Sequence, residues 1–226
     1  MKKEYDFSKV KVLDGSPQPH DKLLGSLVRE LVNKNKCHTV VLYGSRARGD
    51  VNKQSDYDLM GVRKSGKKYR IARKQDGFYV DIFVYPEKDL TKPNESHLYM
   101  MDGRILYQKG IFGSQFMKKL KSVAMKKHKP LPADEIQVRR IWLHKMFERS
   151  GVGDIEGNYR RSWLHEALLY EYFYIRKKRY FGSKQSFAWL KENDKTTYLL
   201  FEKVLAKPLE RIALKRLVER VSKIKS

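Results

Sequence analysis

The stretch Thr39-Val40-Val41-Leu42-Tyr43-Gly44-Ser45-Arg46-Ala47-Arg48-Gly49-Asp50, followed after a short spacer by Ser55-Asp56-Tyr57-Asp58-Leu59, decides how this chain is read. Thr39 to Tyr43 is a short, β-branched, apolar run, the pattern of a strand buried on both faces. Gly44 follows at once, so the backbone can turn sharply there and bring its N–H groups close to a ligand. Ser45 adds a hydroxyl donor, and a turn that leads into a helix start is a natural cradle for phosphate. Arg46 and Arg48 add positive charge against a triphosphate, although each taken singly reads as a surface charge. Asp56 and Asp58 stand two apart on a predicted strand, so both carboxylates project from one face and Tyr57 from the other. Side by side they repel unless a cation shares them, and hard oxygen ligation suits Mg²⁺, with Mn²⁺ as a substitute.

Working outward, Leu23, Leu24, Leu27, Val28, Leu31 and Val32 recur at helical spacing, with Asp21 as the N-cap candidate. Residues 1–19 read as irregular because Gly15, Pro17 and Pro19 break any period. On the other side, Tyr69 to Arg73 is a charged strand suited to a sheet edge, and Asp76-Gly77 is a hairpin signal. Phe78 to Val84 is the most β-prone segment of the chain, and Pro86 stops it. Asp81 lies inside that run between Val80 and Ile82, where a lone charge is costly to bury unless paired or metal-bound. If its strand neighbours that of Asp58, a third carboxylate joins the pair, and such a set can hold two metal ions. Loop or short helix over 86–103, a strand over 104–108 and a basic amphipathic helix over 112–127 complete this half.

Taken together, Gly44-Ser45, Gly49, Ser55-Asp56-Tyr57-Asp58-Leu59 and Val80-Asp81-Ile82 resemble, in that order, the polymerase-β-type nucleotidyltransferase superfamily. The segment Asp102-Gly103-Arg104-Ile105-Leu106-Tyr107 is similar to the strand that follows in small bacterial members, so the resemblance spans roughly residues 38–110. It implies a short mixed sheet with flanking helices, two Mg²⁺ ions, and attack of an acceptor hydroxyl on the α-phosphate of an NTP, with ATP as the default. Ser45 would then contact the β- and γ-phosphates, Asp56 and Asp58 would bind both metals, and Asp81 would bind the nucleophile-side metal and help deprotonate the acceptor. Each piece alone has a plainer reading: an ordinary turn for Gly44-Ser45, a solvated strand end for Asp56 and Asp58, a satisfied edge residue for Asp81.

After His128-Lys129-Pro130 the pattern changes: no alternation returns, and helical patterns run over about 134–149, 159–179, 185–192 and 196 to the end. The expected organisation is therefore α+β, with a mixed α/β catalytic domain over 1–129 and an all-helical domain over 130–226. Relatives often carry such a bundle, and a Gly-x-Lys turn in them faces the triphosphate. By that resemblance Lys184, after Gly182, is a nucleotide-binding candidate, with a surface lysine as the alternative. Glu166 reads as a candidate general base and, beside His165, equally as an ordinary helix residue.

Composition bounds the rest. The 226 residues carry 49 Lys and Arg against 26 Asp and Glu, a formal net charge of +23. Such a surface attracts polyanions, and a polycationic acceptor would need an acidic pocket that nothing beyond the aspartates supplies. Cys37 is the single cysteine, which excludes a disulfide within these residues and a Cys-rich zinc site. With no apolar run of membrane-span length and no apolar run after the basic N-terminus, a cytoplasmic protein is expected. The acceptor stays open between a small hydroxyl compound, an RNA end such as tRNA, and a protein side chain as in nucleotidyltransferase toxins. RNA would use the basic helix Lys118 to Lys129. A non-catalytic nucleotide- or nucleic-acid-binding protein on the same fold is the further alternative.

Overall fold

The computed structural model describes residues 21–126 and 128–223. The expectation for residues 1–19 lies outside them. The chain divides into two compact units, Met1–Lys126 and Lys127–Ser226.

The first unit is built on a five-stranded mixed sheet. Its strands are β1 (Thr39–Tyr43), β2 (Tyr57–Arg63), β3 (Tyr69–Gln75), β4 (Phe78–Pro86) and β5 (Arg104–Gln108). Their spatial order is β3-β4-β2-β1-β5, and only the β2–β4 pair is parallel. Helix α1 (Lys22–Asn33) starts where expected: Asp21 Oδ1 accepts from the Leu24 N–H at 2.9 Å. Its apolar stripe of Leu24, Leu27 and Leu31 packs with Val40, Leu42, Leu59, Val80 and Ile82 on one face of the sheet. The opposite face is covered by a 3₁₀ turn (Glu95–Met100) and helix α4 (Phe112–Met125). There Met100, Phe116 and Leu120 pack on Val41, Met60 and Val62. Alternate residues of each strand thus serve two cores, which is why β1 is buried throughout.

The charged strand β3 is an edge, as its composition requires. It turns back into β4 through Asp76 (φ 50°) and Gly77 (φ 84°), both in the left-handed region, the geometry of a type I′ hairpin. Between β1 and β2 lies the one-turn helix α2 (Gly44–Arg48), ended by Gly49 at φ 87°. Helix α3 (Glu87–Leu90) follows β4.

The second unit comprises α5 (Ala133–Arg149), α6 (Ile155–Ile175), α7 (Ser183–Asn193), α8 (Lys195–Ala206) and α9 (Arg211–Ser222). Leu143, Leu168, Phe173, Phe201, Leu217 and Val221 are central to its core. Two expectations change here. The last helical pattern is two helices, because Pro208 lacks an N–H and cannot continue α8. The helix expected from 159 begins at Ile155 and runs through Gly157. Asp154 caps it, its carboxylate accepting from the Gly157 N–H at 2.6 Å, and the cap offsets the cost of glycine in the first turn. Among the described residues no helix is long and apolar enough to cross a membrane.

Candidate active site

The parallel register of β2 and β4 sets Asp58 directly opposite Asp81, with Tyr57 opposite Val80 and Leu59 opposite Ile82. Directly paired residues on neighbouring strands face the same way, about 4.8 Å apart at the backbone. Tyr57, Val80, Leu59 and Ile82 fill the core beneath α1, so Asp58 and Asp81 share the other face. Both carboxylates are half-buried. Their joint field reaches Tyr43 at the end of β1, which pairs with Asp58. Burial first, then Tyr99, Asp58 and Asp81, push the Tyr43 hydroxyl well above its ordinary acidity range.

The bend after β1 is shaped around Asp58. Gly44 sits at φ 73°, and a Cβ added there would lie 2.3 Å from Asp58 Oδ2. Glycine is therefore required twice, for the left-handed backbone and for room for the carboxylate. Ser45 is buried, and its carbonyl accepts from the N–H groups of Gly49 and Asp50 at 2.9 and 3.2 Å. No side chain caps the start of α2.

Asp56 lies outside the strand that was expected to carry it: β2 begins at Tyr57, and Asp56 is exposed just ahead of it. Arg46 anchors this approach. Its guanidinium donates to the carbonyls of Asp56 (3.1 Å) and Ser55 (2.9 Å) and stacks 3.7 Å over the Tyr57 ring. Because Tyr57 alternates with Asp58, that stack places Arg46 on the opposite face from the Asp58 carboxylate. The loop itself is closed by Ser55 Oγ, which accepts from the Asn52 N–H at 2.9 Å. Tyr57 in turn donates its hydroxyl to Asp21 at 2.8 Å, tying the cap of α1 to the start of β2.

Two residues of the site escaped the sequence reading. Tyr43 is one. The other is Arg70, whose Nε and Nη2 donate to the two Asp81 oxygens at 2.7 and 2.8 Å. The two-residue hairpin turn contains the signal that would have found it. With Gln75 opposite Phe78, Ala72 falls opposite Asp81 and Arg70 becomes its diagonal neighbour on the same face. This pairing bears on metal binding. Among the described residues no group of three or more His, Cys, Asp and Glu is arranged to hold an ion. Asp58 and Asp81 form an all-oxygen pair that suits Mg²⁺ or Mn²⁺, and an ion at Asp81 competes with Arg70. The Arg70 side chain is 57% exposed, so moving it aside into water costs little.

The remaining candidates lie in the second unit. Lys184 is exposed in the first turn of α7, Glu166 is exposed on α6, and burial holds the His165 imidazole below its ordinary range. Cys37 is buried, and burial pushes its thiol up to about 12, which leaves it unreactive. A cavity of about 680 Å³ opens among Val32, His38, Glu87 and Phe112, at the other end of the sheet from the aspartates.

The model of the nucleotidyltransferase domain family matches residues 24–143. A nucleotidyltransferase-like protein from Exiguobacterium sibiricum 255-15, known from a crystal structure at 1.90 Å, is 14% identical. That alignment covers 86% of this chain and 74% of that one with a TM-score of 0.39. No curated protein matches the chain. Since the family model covers more than half of its length, from α1 into α5, the chain belongs to the nucleotidyltransferase domain family of the polymerase-β-type superfamily.

Proposed function

We propose that this protein is a metal-dependent nucleotidyltransferase that moves NMP from an NTP, by default ATP, to an acceptor hydroxyl and releases pyrophosphate. Nucleotidyl transfer is the activity of the family. The observation that carries the finer reading is the in-register pair Asp58 and Asp81, beside a glycine bend that leaves room for the Asp58 carboxylate. Asp58 and Asp81, with Asp56 approaching from the strand start, are the residues that would hold Mg²⁺ or Mn²⁺. When bound, the metal neutralises charge on the departing pyrophosphate and acidifies the attacking hydroxyl. Asp81 accepts the acceptor proton as the new O–Pα bond forms and the bond to the β-phosphate breaks. Ser45 and the N–H groups at the start of α2 face the phosphates, and Tyr43 stands beside Asp58 on the neighbouring strand. Arg46 holds Ser55 and Asp56 in place, a positioning role.

Incubation with each α-³²P-labelled NTP, Mg²⁺ and the RNA, protein or metabolite fraction of a lysate tests this reading. Label is expected to pass from ATP into one fraction and to stop when EDTA is added. Absence of both label transfer and pyrophosphate release with all NTPs and all fractions rejects it.

Arg70 gives a second handle that needs no turnover. With the competing guanidinium removed, Arg70→Gln should bind Mn²⁺ about fivefold more tightly than the parent, and the gain should shrink in high salt. The measurement is the free Mn²⁺ signal in electron paramagnetic resonance. Equal or weaker binding by the variant would show that Asp81 does not take part in metal binding.

A further inference from the structure

The β3–β4 hairpin has two faces of opposite character. One packs toward α1, where Arg73 pairs with Glu30 and Asn35 donates to the Tyr69 hydroxyl at 2.8 Å. The other, which carries Asp81, is open along its edge: Lys68, Arg70, Ala72 and Lys74 are all exposed. Beside them, on the same face as Asp81, β4 presents Tyr79 exposed, Phe83 half-buried and Tyr85 buried in the core beneath the 3₁₀ turn. Cations and rings meet in steps along the strands. Lys74 lies 5.9 Å from the centre of the Tyr79 ring, Arg70 5.1 Å from Phe83, and Lys68 4.5 Å from Tyr85. From Lys68 to Lys74 the strip is ~20 Å long.

Lysines on an edge strand deter strand pairing, and that explains the charges alone. It does not explain a tyrosine that is 64% exposed at the tip, next to the exposed cations. Exposed cations in a row beside an exposed ring are what a polyanion with free π faces requires. The cations follow the backbone phosphates, and the Tyr79 ring takes an unpaired base of any sequence. A duplex hides its base faces, and a polycationic acceptor is repelled here.

We propose that this face of the hairpin binds a single-stranded polynucleotide and leads its terminal hydroxyl to Asp81. Only the event at Asp81 rests on the transferase reading; the binding strip rests on the hairpin itself.

The test is fluorescence anisotropy of the full chain, without NTP or metal. The probes are a short labelled RNA strand, a DNA strand of the same sequence, and the matching duplex. Single strands should bind, more tightly than the duplex, with the better of the RNA and DNA arms identifying the natural acceptor. Tyr79→Ala should weaken single-strand binding about tenfold. Lys68→Glu should weaken it about as much and flatten its salt dependence. Lys118→Glu on α4, an equal change of net charge at an exposed site, should stay within about twofold. Circular dichroism checks that each variant is folded. Failure to bind single strands, preference for the duplex, or equal losses in all three variants would overturn the proposal. Strand binding without any label transfer would instead count against the transferase reading and leave the strip standing. Label transfer to a small molecule without strand binding would do the reverse.

Discussion

Asp58→Asn should abolish nucleotidyl transfer, by at least about 10³-fold, while the protein stays folded. Asparagine keeps the size of the side chain and removes the charge that would ligate the ion. Asp58 is half-buried beside a second carboxylate, so losing its charge relieves repulsion and leaves the sheet's two cores untouched. Gly44→Ala reaches the same carboxylate by another route. Its Cβ would fall 2.3 Å from Asp58 Oδ2, and a φ of 73° is strained for alanine. That variant should lose a comparable share of activity and also ~1–2 kcal/mol of stability. Pyrophosphate release and thermal melting separate the two cases: a flat melting temperature for Asp58→Asn, a lowered one for Gly44→Ala. Wild-type turnover in Asp58→Asn would move the active site elsewhere.

The second large effect concerns the helical unit, where Asp194→Ala should cost ~3–5 kcal/mol. Asp194 is 8% exposed and caps α8, accepting from the Thr197 N–H at 3.2 Å. It also accepts from the Thr197 hydroxyl and the Tyr172 hydroxyl, each at 2.8 Å, and from Arg220 at 2.9 Å. One carboxylate thus ties α6, α8 and α9, and its removal strands a half-buried guanidinium and a buried phenol. Burial alone would raise its pKa, but the hydrogen bonds from Thr197, Tyr172 and Arg220 outweigh burial and hold it down to about 2, against 3.8 unperturbed. A depressed carboxylate adds stability that is complete above the unfolded value and is lost as pH falls. The contribution, roughly 2 kcal/mol, should therefore fade between pH 4 and pH 2. Urea unfolding across that range checks the sign: the midpoint of the parent should fall more steeply than that of Asp194→Asn. Parallel curves would show that the ionised carboxylate does not hold the three helices.

Much of this architecture is written in local patterns. The apolar run Thr39–Tyr43, the Asp76-Gly77 turn and the Asp21 cap each depend on neighbours a few residues away, and each stands where the pattern puts it. Pro208 shows how a clear local signal is lost when a longer period is followed across it. The extra turn at the start of α6 shows a cap prevailing over a glycine. Asp56 shows the limit of strand parity, which says which way alternate side chains point but not where pairing begins.

The amino-acid sequence by itself determined the strands, the glycine bend, and that Asp81 stands at odds with an apolar strand, because side-chain period and turn chemistry are short-range properties. Which strands lie side by side was decided by the tertiary structure. The parallel β2–β4 pairing, made across the intervening β3, brings Asp58 to Asp81, and the β1–β2 pairing sets Tyr43 beside Asp58. Those meetings join residues far apart in the chain, and only burial of both sheet faces, summed over the whole unit, selects that strand order.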